Sequence, residues 1–350
     1  PMQRWTTRTI GLGNEKGYPG RDGWAFFRTG VDALTGPGFL EPRQLARRAA
    51  SGSEWVPAPE PDPRPAILAF HRYLDERGID LVLVPAPAKP AVHPEKLSSR
   101  YPAGAGPIRN PSFAAWAADL ADEGVRIVDA ASLLASRAGG GAQYLETDTH
   151  WTPDAMAAVA DRIVEVLDLG PGAAGYRQTR REVSALGDVA ANLLRLEGTG
   201  VYPEQTAVIR PVVAADGSAW APDPTAEILL LGDSFANIYS ATNLNWGGGA
   251  GLAEQLSYRL QRPLDVIAEN DAGAHATRTA LAKALRRGDR LRGKRVVIWE
   301  FAARELAAGD WREIDWGAME PGPPVTTDPP PAPTRVVGTI EAISRSPRPC

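Results

Sequence analysis

The chain has a single cysteine, Cys350, and it is the last of 350 residues. That excludes an internal disulfide and any metal site built on cysteine. Lysine is scarce: only Lys16, Lys89, Lys96, Lys283 and Lys294 stand among 38 basic residues, the rest being arginine. The bias accompanies abundant Ala, Gly and Pro and reads as genome composition, so it carries no functional weight. No apolar run approaches the roughly 18 residues of a membrane span, and no signal-peptide pattern is present. Neither charge sign dominates at a formal net charge of −4, which gives nucleic acid no electrostatic footing. The glycine stretch GGGAG at 247–251 lacks the lysine of a P-loop and reads as a flexible edge. Histidine is nearly absent too, with four in the chain, so any histidine-based chemistry falls on His71, His93, His150 or His275.

What is present is an ordinary globular composition, 43% hydrophobic and 23% charged. Short apolar runs alternate with amphipathic stretches. IDLVLVPAP, VRIVDA, AEILLLGDSF, LDVIAEND and RVVIWEF read as strands, and DPRPAILAFHRYLDERG, SFAAWAADLADEG, 153–167, GLAEQLSYRLQ and ATRTALAKALRRG read as helices. That rhythm predicts an α/β fold, a parallel sheet flanked by helices on both faces. GRDGWAFFRTG predicts a turn into a short strand over 24–27. Residues 170–224 break the pattern and read as an inserted small lobe. The expected organisation is a catalytic domain over 1–318, a Pro-rich linker over 319–334, and the start of a C-terminal segment over 335–350. Pro1 precedes Met2, and strand-like TRVVGTIEAI lies close to the last residue. We therefore expect an excised piece of a longer chain, with an anchor outside it.

Two stretches carry chemistry. In LLLGDSFAN, Gly232 permits a sharp turn, and Ser234 falls just past the carboxyl end of a strand, where parallel sheets place their sites. A serine there opens a helix, so free N–H groups can stabilise an oxyanion. A plain helix N-cap uses the same residue types. In YLETDTHWTPDAM, Asp148 and His150 precede a helix start. If that segment is extended, both side chains face one way, and Asp148 fixes the imidazole tautomer of a base for Ser234. His71 reads as structural within its helix, His93 as part of a surface loop, and His275 opens a basic helix. A metal reading of Asp148 and His150 lacks a third ligand and leaves the serine block unexplained. No metal or cofactor is expected.

The GDS block after an apolar strand resembles the nucleophile block of the SGNH (GDSL-type) hydrolase superfamily. There Asp and His usually follow the serine, whereas here TDTHW comes first. That permuted order resembles the SGNH-like domain of the alginate O-acetyltransferase family, the AlgJ/AlgX type. GRDGWAFF, VPAPAKPAVHPEKL, AENDAGAHATR and WEFAARELAAGDW extend the resemblance over most of residues 15–316. It implies Ser234 as nucleophile, His150 as general acid/base and Asp148 as its orienter. The oxyanion hole would use the Ser234 N–H and a second donor. Asn270 competes with Arg278 for that place, because AEND lacks the glycine of the superfamily's Gly-x-Asn-Asp block. Trp151, Trp246 and Trp299 are candidates for a sugar platform, with core packing as the alternative. Asn237 and Lys89 are further candidates at the rim. The resemblance implies acetylation of an exopolysaccharide outside the cytoplasm, with acetyl delivered by a membrane-bound O-acyltransferase. An esterase or deacetylase would use the same triad with water as acceptor, and a polysaccharide-binding protein could keep the fold without catalysis.

Overall fold

A computed structural model describes Thr7, residues 11–270 and residues 273–319. The expected linker beyond Met319 and the segment 335–350 lie outside the described residues. Near the start of the chain, β1 (Gly17–Pro19) and β2 (Ala25–Phe27) pair antiparallel. The central strands are β3 (Asp80–Ala86) and β4 (Arg126–Ile127). Next come four lobe strands, β5 (Arg177–Gln178), β6 (Arg181–Ala185), β7 (Gln205–Ile209) and β8 (Val212–Val213). The central sheet resumes with β9 (Ile228–Gly232), β10 (Asp265–Ala268) and β11 (Val296–Ala302).

The five central strands form one parallel sheet in the order β10-β9-β11-β3-β4. The apolar runs read as strands are these strands, and they are apolar because both faces of the sheet are covered. Alternation sends successive side chains to opposite faces. Val82, Val84, Ile228, Leu230, Val296 and Ile298 enter one core, while Leu81, Leu83, Leu229, Leu231, Val297 and Trp299 enter the other. Helices Pro153–Leu167 and Leu252–Leu260 pack on the first face. Helices Pro63–Asp75, Phe113–Asp122 and Gly273–Leu285 pack on the second. The predicted helix stops at Gly78 and Gly124 carry φ +66 and +83, a left-handed conformation that glycine adopts without a steric penalty.

Residues 170–224 contribute no strand to the central sheet. Their strands form two antiparallel pairs, β5 with β8 and β6 with β7. The helix-like VAANL is a π-helical turn, Val189–Leu193, rather than an α-helix. No helix among the described residues is long and apolar enough to cross a membrane.

The topology brings the carboxyl ends of β9, β11 and β3 side by side. The residues that follow them, Ser234, Arg304 and Ala88, therefore share one rim. Ile298 is central to this platform, in register with Val82 on one side and Leu230 on the other, all three fully buried. Ile298→Ala should lower the unfolding free energy by about 2–5 kcal/mol. A urea titration reads this directly, and a loss below about 1 kcal/mol would mean that the sheet centre is not the packed element described here.

Candidate active site

The nucleophile turn is fixed from below by β11. Asp233 caps the short helix Ser234–Asn237: its Oδ1 accepts the Phe235 N–H at 2.7 Å, and its Oδ2 accepts the Ala302 N–H at 2.8 Å. The Asp233 N–H donates to Glu300 Oε2 at 3.0 Å. Burial, and then the Asp233 carboxylate beside it, push the Glu300 carboxyl well above its ordinary range, which favours its neutral form. Gly232 is required by close approach, since a Cβ there would lie 2.6 Å from the Ala236 Cβ. The Ser234 N–H has no acceptor among the described residues and sits at the amino end of the turn, where an oxyanion would be met.

The Asp–His segment is not extended. Tyr144 and Trp151 form an antiparallel bridge, and the Leu145 N–H donates to His150 O at 3.1 Å. Between them the chain turns, and Asp148 Oδ1 accepts the backbone N–H of His150 at 3.0 Å. This side-chain-to-backbone turn, typical of aspartate, is the local reason why acid and imidazole meet. The same Oδ1 takes His150 Nδ1–H at 2.6 Å, and the Ser234 Oγ–H donates to His150 Nε2 at 2.9 Å. Asp148, His150 and Ser234 are thus one continuous relay, each less than a tenth exposed.

The second Asp148 oxygen is held by distant parts of the chain. Oδ2 accepts the Asp188 N–H at 2.9 Å and the Trp246 Nε1–H at 2.9 Å. Asp188 in turn accepts the Thr149 N–H at 2.6 Å and its hydroxyl at 2.8 Å. Burial alone raises the Asp148 pKa, but the hydrogen bond and charge of His150, with the N–H donors of Asp188 and Trp246, bring it below the ordinary carboxylate value. Burial alone lowers the His150 pKa, yet the bond to Asp148 and the charges of Asp148, Asp188 and Asp233 leave it raised. Asp148, His150 and Asp188 offer ligand atoms within 4.8 Å of one another. Those acceptor sites already hold N–H and O–H donors, so the cluster is a satisfied hydrogen-bond network rather than a cation cage.

Several expectations are corrected. Trp151, Trp246 and Trp299 present no face to a sugar, because all three are fully buried. Trp151 packs edge-on against Phe235 and donates to Phe235 O. Trp246 serves the Asp148 carboxylate, and Trp299 packs with Phe70, Phe301 and Trp311 in the second core. Lys89 does not reach the rim. It is buried, with its ammonium on Ala25 O at 2.7 Å and Glu146 O at 2.9 Å, and so ties β2 to the Asp–His loop. His93 is not on the surface: its ring is buried against Trp24 and accepts the Gln143 N–H at 2.9 Å. Arg278 is sealed in the second core over Trp299 and Trp311 and does not line the cleft. His275 does line it, bonded to Thr279 rather than to Ser234. Asn270 accepts the Asn237 Nδ2–H at 2.9 Å, which leaves its own amide N–H groups free as donors.

Three contributors escaped the sequence reading. Asp188 follows Gly187 just past β6, a Gly-Asp pair leaving a strand like Gly232-Asp233, and that repetition was the available signal. Glu300 and Arg304 sit on β11 and just beyond it, inside the WEFAARELAAGDW block that extends the resemblance without singling out either residue. Outside the relay, Ser234 opens on a cleft of about 380 Å³ lined by Phe27, Thr29, Arg304 and Glu305 among others.

A parallel α/β sheet with hydrogen-bonded Ser, His and Asp at its carboxyl rim defines a fold of the SGNH kind. The family described as SGNH hydrolase-like domain, acetyltransferase AlgX, matches residues 18–303, and the chain belongs to it. The chain is 28% identical over 267 residues to the probable alginate O-acetylase AlgJ of Pseudomonas syringae pv. tomato, covering 69% of this chain and 62% of that protein. It is 31% identical over 114 residues to the probable alginate O-acetylase AlgJ of Pseudomonas aeruginosa, covering 31% of this chain and 28% of that one. The chain thus spans less than two thirds of the length of these curated relatives. Its fold is shared with the O-acetyltransferase domain of Pseudomonas putida AlgJ, at TM-score 0.59 and 19% identity over 86% of this chain and 95% of that one. Pseudomonas aeruginosa AlgX gives TM-score 0.50 and 19% identity over 84% and 67%.

Two outcomes test the relay. Trp246→Phe removes one donor to Asp148 along with part of a fully buried ring, and should lower kcat on an activated acetyl ester by about tenfold. An unchanged kcat would show that the indole N–H has no part in aligning the relay. His150 must be unprotonated to take the serine proton, and its pKa is raised from 6.5. The acid limb of kcat/KM should therefore fall above pH 6.5, and Asp148→Asn, by removing the anion that favours the imidazolium, should move it lower. A limb that stays in place in the variant would mean that another group titrates.

Proposed function

We propose that this chain is an O-acetyltransferase that carries acetyl through Ser234 onto hydroxyls of an exopolysaccharide of the alginate kind. The observation that carries this reading is the unbroken chain of hydrogen bonds from Asp148 through His150 to Ser234 Oγ, in a member of an acetyltransferase family. His150 Nε2 takes the Ser234 proton as Oγ attacks the donor's acetyl carbonyl. The Ser234 N–H, with Asn270 as the second candidate donor, meets the developing oxyanion. The donor's bond to acetyl breaks, and its leaving group takes the proton from His150. An acceptor hydroxyl then gives its proton to His150 and attacks the acyl carbon. The Ser234–acyl bond breaks, and Oγ recovers the proton.

The relatives named alginate O-acetylases support a polysaccharide acceptor. On this reading the reaction runs outside the cytoplasm, with acetyl supplied by a membrane-bound O-acyltransferase. Esterase action on acetylated carbohydrate is the second reading, with water replacing the acceptor.

The test is incubation with an activated acetyl ester, with and without oligosaccharide. Acetylated sugar, seen by mass spectrometry, is the expected product, and Ser234→Ala should reduce it by roughly 10⁴-fold or more. Acetate release unaltered by the sugar would replace the transferase reading with the esterase one. A Ser234→Ala rate equal to that of the unchanged chain would remove both.

A further inference from the structure

Among the described residues, Arg304 is the one Lys or Arg that lines the Ser234 cleft, and the relay leaves it unused. It follows β11 directly and lines the Ser234 cleft together with two smaller cavities, one behind Phe27 and Phe235 and one under Pro85–Ala91. Its guanidinium lies over the rings of Phe27, at 5.1 Å, and Phe235, at 6.0 Å. Rings that hold the face of a guanidinium leave its edge, where the five N–H donors are, available to a ligand. Among the described residues no hydrogen bond uses that edge, and the nearest acid oxygen is Glu305 Oε1, 3.9 Å from Nε.

None of the acids that share the cleft hydrogen-bonds to Arg304 among the described residues. Both Asp233 oxygens are committed to backbone N–H groups. Asp310 accepts from the Glu60 N–H at 3.0 Å and pairs with Arg312 at 2.8 Å. Glu305 is pushed toward its neutral form by burial, which outweighs the nearby Arg304 charge. His275, facing the same space, is held toward neutral by burial and by Arg278. What the cleft offers a ligand is a planar, permanently charged fork whose N–H donors no described residue takes up in a hydrogen bond. Such a fork matches the two oxygens of a carboxylate, whereas a single oxyanion is already met by the Ser234 N–H. Past Thr29 and Ala308 the cleft continues into a second open groove of about 460 Å³ lined by Thr35, Gln44 and Arg47, so there is room for a chain of sugars rather than one.

Resting on the transferase reading, we propose that Arg304 is a specificity-determining residue that binds the carboxylate of a uronic-acid sugar in the acceptor, so that this site selects anionic over neutral polysaccharide. The test compares a uronate oligosaccharide with the same oligosaccharide after carboxyl reduction to the neutral sugar. In wild-type protein kcat/KM should favour the uronate. In Arg304→Gln that preference should fall by about tenfold or more, the worth of a charge-assisted pair, with Arg304→Lys keeping part of it. The same loss should appear in calorimetric binding of the uronate oligomer when Arg304→Gln is added to Ser234→Ala. An equal fall for both sugars would overturn the proposal and make Arg304 an oxyanion or structural residue. Binding to the Ser234→Ala protein does not depend on turnover. A chain that releases acetate without acetylating either sugar, yet binds uronate through Arg304, would therefore retire the transferase reading and leave this one standing.

Discussion

The site depends on how the Asp148 carboxylate is satisfied. A buried carboxylate is expensive unless each oxygen finds donors, and Asp148 finds four: the His150 ring, the His150 backbone, the Asp188 backbone and the Trp246 indole. They come from three separate places, its own turn, the segment following β6 and the loop after the nucleophile helix. The carboxylate can be ionised and aligned only when all three are packed. Asp188 adds a second hold by taking both donors of Thr149, the residue between acid and imidazole. Contact there is as close as backbone allows, for a Cβ on Gly187 would lie 2.4 Å from the Asp148 nitrogen. Residues 170–224, which add nothing to the central sheet, therefore act on chemistry by closing over the acid.

The Ser234 turn is fixed by different means. It is riveted to β11 through Asp233, which joins the Phe235 and Ala302 N–H groups, and through Glu300 beneath it. Acid and base thus ride on a loop organised by side-chain donors, while the serine rides on the sheet itself. Phe235 and Trp151 join the two halves: their rings meet edge-on, and the indole donates to Phe235 O. The tryptophan beside the histidine holds the relay's two carriers at one spacing, and this accounts for its burial.

How much of this could be read in the sequence follows from the range of the interactions. The strands were legible because a fully covered parallel sheet writes itself as short apolar runs, and the helix at 153–167 because Thr152 and Pro153 mark its start. Ser234 and the Asp148–His150 pair, which the structure brings into one hydrogen-bonded chain, could be picked out because each sits in a short stretch with fixed local spacing. The fates of the tryptophans were not. Trp246 reaches Asp148 across 98 positions, and nothing near either residue records the meeting. Lys89 looked like a rim residue because an isolated lysine belongs in water, yet the backbone carbonyls of Ala25 and Glu146 gave it a buried berth. The pair meets without the extended geometry that was its stated condition, since an aspartate that can bond the backbone two residues on favours a turn.

The division between buried relay and open cleft bears on the choice between transfer and hydrolysis. Everything that aligns the relay is buried and already hydrogen-bonded, so it does not distinguish a sugar hydroxyl from water. Discrimination must lie in the cleft, where Ser234 faces open space rather than a closed chamber. Under the proposed reaction an acyl-serine there is exposed to water until an acceptor fills the space. A ligand held at Arg304 would sit over Phe27 and Phe235, against the wall that flanks the nucleophile, and would displace water from the acyl carbon while bringing its own hydroxyls near. On this arrangement the same contact that selects an anionic chain also protects the acyl-enzyme, so acceptor recognition and suppression of hydrolysis are one property of the cleft rather than two.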